Sequence, residues 1–213
     1  MLRYAIPAAL VLTAGNAWAQ QKAVTPMEEP KLGDHWTYQL KDEITGKATG
    51  TRENVVTEVT PDTISLRFKK TEPHEEGLSL YDHSWNVLNS ANWKYVPYQG
   101  SSGIHAPLKV GEHWTFESNN FNKNGSVSRE IGLSMIVGQE AVTTPAGTFD
   151  TFKIETSFST QNARDLIKKY DTVFQTWYAP AIDHWVKRLA VFKINGHLDR
   201  SESYELIEYG RKQ

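Results

Sequence analysis

The sequence predicts an all-β protein: an antiparallel meander curled into a barrel or half-barrel and built from two tandem related repeats. Three observations carry this. Apolar and polar residues alternate over many short segments, which is the signature of half-buried strands. Turn residues punctuate those segments at short intervals. And one stretch occurs twice: Lys31-Leu32-Gly33-Asp34-His35-Trp36-Thr37-Tyr38 returns as Lys109-Val110-Gly111-Glu112-His113-Trp114-Thr115-Phe116. Recurrence of so dense a pattern points to internal duplication.

Each copy opens on a glycine (Gly33 or Gly111), a residue suited to backbone turns that others avoid. Alternation follows. Trp36, Tyr38 and Leu40 share one face and His35, Thr37 and Gln39 the other, as Trp114 and Phe116 oppose His113, Thr115 and Glu117. Each copy is therefore expected to sink a tryptophan into a core and leave its histidine on the wetter face.

The first 19 residues read as a secretory signal peptide: a basic start at Arg3, an apolar run from Ala5 to Gly15, and Ala17-Trp18-Ala19 as cleavage site. No cysteine follows to take a lipid, and no later run approaches the roughly 18 apolar residues of a membrane-spanning helix. The chain is expected to be periplasmic, with secretion as the alternative, and to have no transmembrane anchor. Residues 20–30 read as a flexible arm, 31–107 as β repeat 1 and 108–213 as β repeat 2, forming one continuous domain or two tightly coupled halves. A formal net charge of −2 lacks the basic excess of a nucleic-acid binder. With no cysteine, the fold must be held by its core, without disulfides, thiolate metal sites or a cysteine nucleophile.

In order, the first strand closes at the turn Ile44 to Lys47. A second runs from Thr49 to Thr60, turns at Pro61-Asp62, and returns as the alternating Ile64, Leu66 and Phe68. Lys70 to Gly77 reads as a charged loop. Strands are expected at 78–82, 84–88 and 93–98, then a Gly/Ser-rich linker from Gln99 to Pro107. In repeat 2, Asn119 to Gly125 reads as a turn. Ser126 to Val137 reads as a strand with Ile131, Leu133, Met135 and Val137 on one face. Pro145-Ala146-Gly147 reads as a tight turn, and the segment through Phe152, Ile154, Thr156 and Phe158 as a strand. Ala163 to Tyr170 allows a helical turn before the next strand, which Pro180 stops. The last two strands, 185–194 and 202–209, are joined by the hairpin signal Asn195-Gly196.

Gly33-Asp34-His35-Trp36-Thr37-Tyr38, Pro145-Ala146-Gly147-Thr148-Phe149-Asp150-Thr151-Phe152, and Trp177-Tyr178-Ala179-Pro180 ahead of Trp185-Val186-Lys187-Arg188 together give the chain a family likeness. It resembles an uncharacterised group of exported proteobacterial proteins, a domain-of-unknown-function family resembling lipoprotein-carrier-like β half-barrels. The resemblance implies a curved sheet but no catalytic residues. In one place the chain departs from the pattern: Ile182-Asp183-His184 stands where a glycine-containing turn is expected.

The residues carry no recognisable catalytic set. His35, His83, His113 and His184 lack the tight spacings of metal ligands and read as surface histidines, so no metal and no cofactor is expected. There is no nucleophile elbow, and the paired carboxylates Glu28-Glu29 and Glu75-Glu76 fall in charged segments. Arg52-Glu53 and Arg129-Glu130 read as solvated strand charges. Trp36, Trp114, Phe116 and Trp185 read as core. Trp93, Tyr95 and Tyr98 cluster beside the linker and are the candidate ligand-binding residues, although packing would also account for them. The expectation is a non-catalytic binding module for an apolar or amphipathic envelope molecule such as a lipid. The alternatives are an envelope interaction or structural protein with no small-molecule site, and a hydrolase of envelope polymers using His83 and His184.

Overall fold

The computed structural model describes residues 29–211, the side chain of Tyr98 excepted. The signal peptide expected over 1–19 and nearly all of the arm lie outside the described residues. Among the described residues, twelve antiparallel strands follow one another as a meander: β1 (His35–Asp42), β2 (Ala48–Val59), β3 (Ile64–Lys70), β4 (Glu75–Tyr81), β5 (Val87–Ser90), β6 (Trp93–Gln99), β7 (His113–Asn122), β8 (Val127–Thr144), β9 (Gly147–Asn162), β10 (Asp165–Ala179), β11 (His184–Ile194) and β12 (His197–Gly210). β1 pairs with β12 from His35↔Gly210 to Asp42↔Glu202, so the sheet closes on itself. Of the two expected shapes the closed barrel forms, and the half-barrel that the resemblance implies does not. Closure removes the unpaired edges that an open sheet would present. The ends are locked where they meet: Asp34, fully buried, accepts from Nε and Nη2 of Arg211.

The two copies of the repeated stretch adopt one local geometry. Gly33 and Gly111 lie at φ 86° and 93°, left-handed values that glycine tolerates at no steric cost. Gly33 donates to the Val56 carbonyl and Val56 to that of Asp34; Gly111 and Ile136 exchange the same pair of bonds with Ile136 and Glu112. The copies begin β1 and β7, on opposite walls of the barrel. Their tryptophans differ in depth. Trp36 is fully buried, whereas Trp114 is half-buried and stacks on His105 at 4.6 Å.

Several expectations need correcting. Ala163 to Tyr170 contains no helical turn: it is the Ala163-Arg164 hairpin turn and the start of β10. Local spacing suggested a helix, but pairing of Asp165 with Asn162 and of Tyr170 with Thr160 decides for strand. Residues 84–86 form a turn rather than a strand. Asp82 Oδ1 accepts the N–H groups of Ser84 and Asn86, and Trp85 takes φ 58°. The charged loop is shorter than expected, because Glu75 and Glu76 belong to β4. The Gly/Ser-rich stretch after β6 is not a loose linker. Gly103 is buried against the backbone of 84–86, where an added Cβ would lie 2.5 Å from the Ser84 carbonyl oxygen. Ile104 donates to that same oxygen.

The row Ile131, Leu133, Met135 and Val137 does share a face of β8, but it is the outer one, with exposures of 37–50%. Its inward partners are Ser128, Glu130, Gly132, Ser134 and Ile136. Gly132 explains the register. It pairs with Phe116 on β7 and Phe158 on β9, and their rings fill the space a side chain would take. A Cβ there would meet Phe116 Cζ at 2.3 Å and Phe158 Cβ at 2.7 Å. Gly132→Ala is therefore expected to destabilise the barrel by about 1–3 kcal/mol, the usual cost of overpacking. Urea denaturation of the variant checks this.

Candidate functional site

One end of the barrel is plugged by aromatic side chains. Trp36 on β1 stacks on His184 at 4.3 Å, Trp185 lies against the same imidazole at 3.7 Å, and Trp85 meets it edge-on at 4.7 Å. Ile64, Leu66, Ile136, Phe149, Ile182, Val186 and Leu206 pack around them. Two local irregularities build the plug. The register slips between Trp177 and Tyr178, so that His184, Trp185 and Val186 are buried in succession. Asp183 takes φ 45°, ψ 39°, and thereby does the work of the glycine expected in this turn. Its half-buried carboxylate accepts from Trp85 Nε1 (3.1 Å) and the Tyr178 hydroxyl. Burial outweighs those two bonds and pushes the Asp183 carboxyl up to about 6.

His184 is thus not a surface histidine. Its Nδ1 lies 2.6 Å from the Tyr38 hydroxyl, which donates its one proton to the Trp185 carbonyl at 2.9 Å. That network assigns the imidazole proton to Nδ1, with Tyr38 as its acceptor. Burial, then the field of Arg188, hold His184 well below its ordinary pKa, so the ring is neutral. His83 is exposed and bonds the Thr60 carbonyl, and His35 and His113 sit on the outer wall. Among the described residues no group of three or more metal-ligating side chains comes together.

Between this plug and the opposite, hairpin end lies a cavity of about 440 Å³, within the range of small-molecule sites. Its two sides differ in chemistry. On one, Phe116, Phe158, Phe174 and Phe192 form a belt across β7, β9, β10 and β11, with successive ring centroids 5.5–6.2 Å apart. On the other stand Tyr38, Arg52, Tyr81, Arg188, Glu202 and Tyr204. Arg52 lies over the Phe68 ring at 4.5 Å and bonds Asn54. Arg188 lies over Trp185 at 4.0 Å and bonds Thr176.

Of the sequence candidates, Tyr95 lines the cavity, while Trp93 does not. Burial first, then the charge of Glu130, push the Tyr95 hydroxyl up to about 12. The Tyr98 side chain is outside the described residues. Two readings of charge are corrected. Arg52 and Glu130 are not solvated strand charges: both turn inward and line the cavity, and only Glu53 and Arg129 face out. Burial raises the Glu130 carboxyl to about 7, against weaker bonds from Asn120 and Thr160. Arg188, which entered above only as part of the motif Trp185-Val186-Lys187-Arg188, also lines the cavity and shares strand parity with the inward Val186 and Ala190.

No protein-family model and no curated protein sequence matches the chain. Solved structures do. A crystal structure described as a candidate exported protein with a YmcC-like fold, from Bacteroides fragilis, superposes with a TM-score of 0.56 at 14% identity, covering 89% of this chain and 100% of that one. A candidate lipoprotein from Parabacteroides distasonis gives 0.55 at 14% identity, over 87% and 99%. At this identity the likeness shows a shared fold.

Two outcomes follow from the geometry. Tyr38→Phe leaves the Trp185 carbonyl and His184 Nδ1 buried without their bonds, and is expected to cost about 1–3 kcal/mol in chemical denaturation. Glu130 has a folded-state pKa above its unfolded value, so the folded protein holds its proton more tightly. Stability is then greatest below about pH 4.5 as far as this group is concerned, and declines as pH rises to about 7. Glu130→Gln is expected to raise Tm relative to the native chain at pH 8 and to make little difference at pH 5, as thermal scans at both pH values would show.

Proposed function

We propose that the protein is a non-catalytic binding module of the cell envelope that holds an amphipathic molecule inside its barrel. The observation that carries this reading is the cavity itself. A barrel with no ligand to hold could fill its interior with side chains, as this one does at its plugged end. Beyond the plug the interior stays open, and Phe158, Phe174 and Phe192 remain half-buried around it. A phenylalanine belt facing a polar wall suits a molecule with one apolar and one polar part. Tyr95 belongs to the same site. Trp93 and Tyr98, which share β6, are proposed to act at its margin. The envelope location is supported by the N-terminal export signal of the sequence and by the description of one fold neighbour as exported and another as a lipoprotein.

A second reading has one observation in its favour. The outward row of Ile131, Leu133, Met135 and Val137 is an apolar strip that a partner protein could cover. It bears on what the outer wall touches, and it leaves the cavity unexplained.

A neutral apolar fluorophore, N-phenyl-1-naphthylamine, tests the proposal. The purified protein is expected to bind it with enhanced emission. Ala190→Phe, which adds a ring to the cavity wall beside Phe174, its partner on β10, is expected to abolish that binding while leaving the circular dichroism spectrum intact. Emission unchanged by the native chain, or equal binding by the variant, sinks the cavity as the site.

A further inference from the structure

Resting on that reading, we infer that the polar end of the bound molecule is an anion, a carboxylate or phosphate head held between Arg52 and Arg188. Both guanidiniums line the cavity, yet among the described residues neither has a carboxylate within 4.0 Å. Inside a protein an unpaired charge is costly and is normally matched by a counter-charge. Here the two cations stand three strands apart round one wall, on β2 and β11, with Tyr38 on β1 and Tyr204 on β12 between them. Like charges gathered on one wall repel, and an anion placed between them relieves this.

Each cation is fixed before any ligand arrives. Stacking over Phe68 or over Trp185 sets the plane of the guanidinium, and the bond from Nε to Asn54 or Thr176 takes up one donor. The terminal nitrogens, which form the fork that matches carboxylate and phosphate oxygens, are left for a ligand. The Tyr38 hydroxyl proton is already committed to the Trp185 carbonyl, so it adds no donor. Tyr204 donates to Glu202 at 3.2 Å. The carboxylates of the cavity do not supply the missing partner. Glu202, which accepts from Tyr204, and Glu130, at the other side and bonded by Asn120, both lie beyond 4.0 Å of either guanidinium. The phenylalanine belt receives the apolar part, and Arg188, which also lies 5.3 Å from the Phe174 ring, marks the junction between the two walls.

The test compares probes of one chain length that differ only in the head: dodecanoate, dodecyl phosphate, dodecanol and dodecyltrimethylammonium. Competition with the naphthylamine fluorophore reads the affinity of each. The two anions are expected to bind at least about tenfold tighter than dodecanol, and the cationic probe least, which is the worth of one charge-assisted pair. Arg52→Gln and Arg188→Gln are each expected to erase most of that preference, read as the ratio of dodecanoate to dodecanol affinity within each variant; Arg188→Lys restores part of it. The ratio of the two anions separates a carboxylate from a phosphate ligand. Fluorophore binding with equal affinity for dodecanol and dodecanoate overturns the anion inference and spares the cavity. Absence of any binding overturns both. Since Arg188→Gln could weaken folding, Arg52→Gln carries the test by itself, with thermal unfolding of each variant measured alongside.

Discussion

The stack of Trp36, His184 and Trp185 is the contact on which the rest of this structure depends. It joins β1 to the start of β11, and through Trp85 to the turn before β5. A neutral imidazole serves here because it is flat enough to stack and polar enough to bond Tyr38. A charged one would have to be desolvated among tryptophans, at a cost the site cannot recover. With that end filled, closure of the sheet leaves a blind chamber instead of a channel. The floor of the chamber is then set by the same residues, Tyr38, Trp85 and Trp185, that form its inner face.

The chamber explains an inversion in the chemistry of the walls. In a packed core the inward residues must be apolar. Where strands face a cavity this demand lapses, and β8 turns serine and glutamate inward while its aliphatic row faces out. The fixed points are elsewhere: Gly132 must lie beneath two phenylalanine rings, and Ile136 must reach the plug. A period of two leaves no freedom once these are set, since a slip of one residue would reverse every side chain.

Much of the fold was legible in the sequence. Trp36, Tyr38 and Leu40, and Ile64, Leu66 and Phe68, alternate toward the core because these strands meet the plug, where ordinary burial rules apply. Asn195-Gly196 makes its hairpin with both residues at positive φ. The site was harder to read. Arg52 could have been placed from its parity with Val56, and Arg188 from its parity with Val186 and Ala190. Glu130 could not, since the apolar residues of its strand, Ile131, Leu133, Met135 and Val137, stand on the opposite parity. His184 was hidden by a register slip that no local pattern announces. The segment Ala163 to Tyr170 shows the same limit from another side, for its pairing partner is set by the length of β9 and not by its own residues.

The salt bridge between Asp34 and Arg211 has a further consequence for orientation. The first and last described residues lie beside the plug, since His35 pairs with Gly210 there and Arg211 reaches Asp34. Any tether joined to either end would hold the molecule by its sealed base. The hairpin side would then point away from the attachment, unshadowed by the leash.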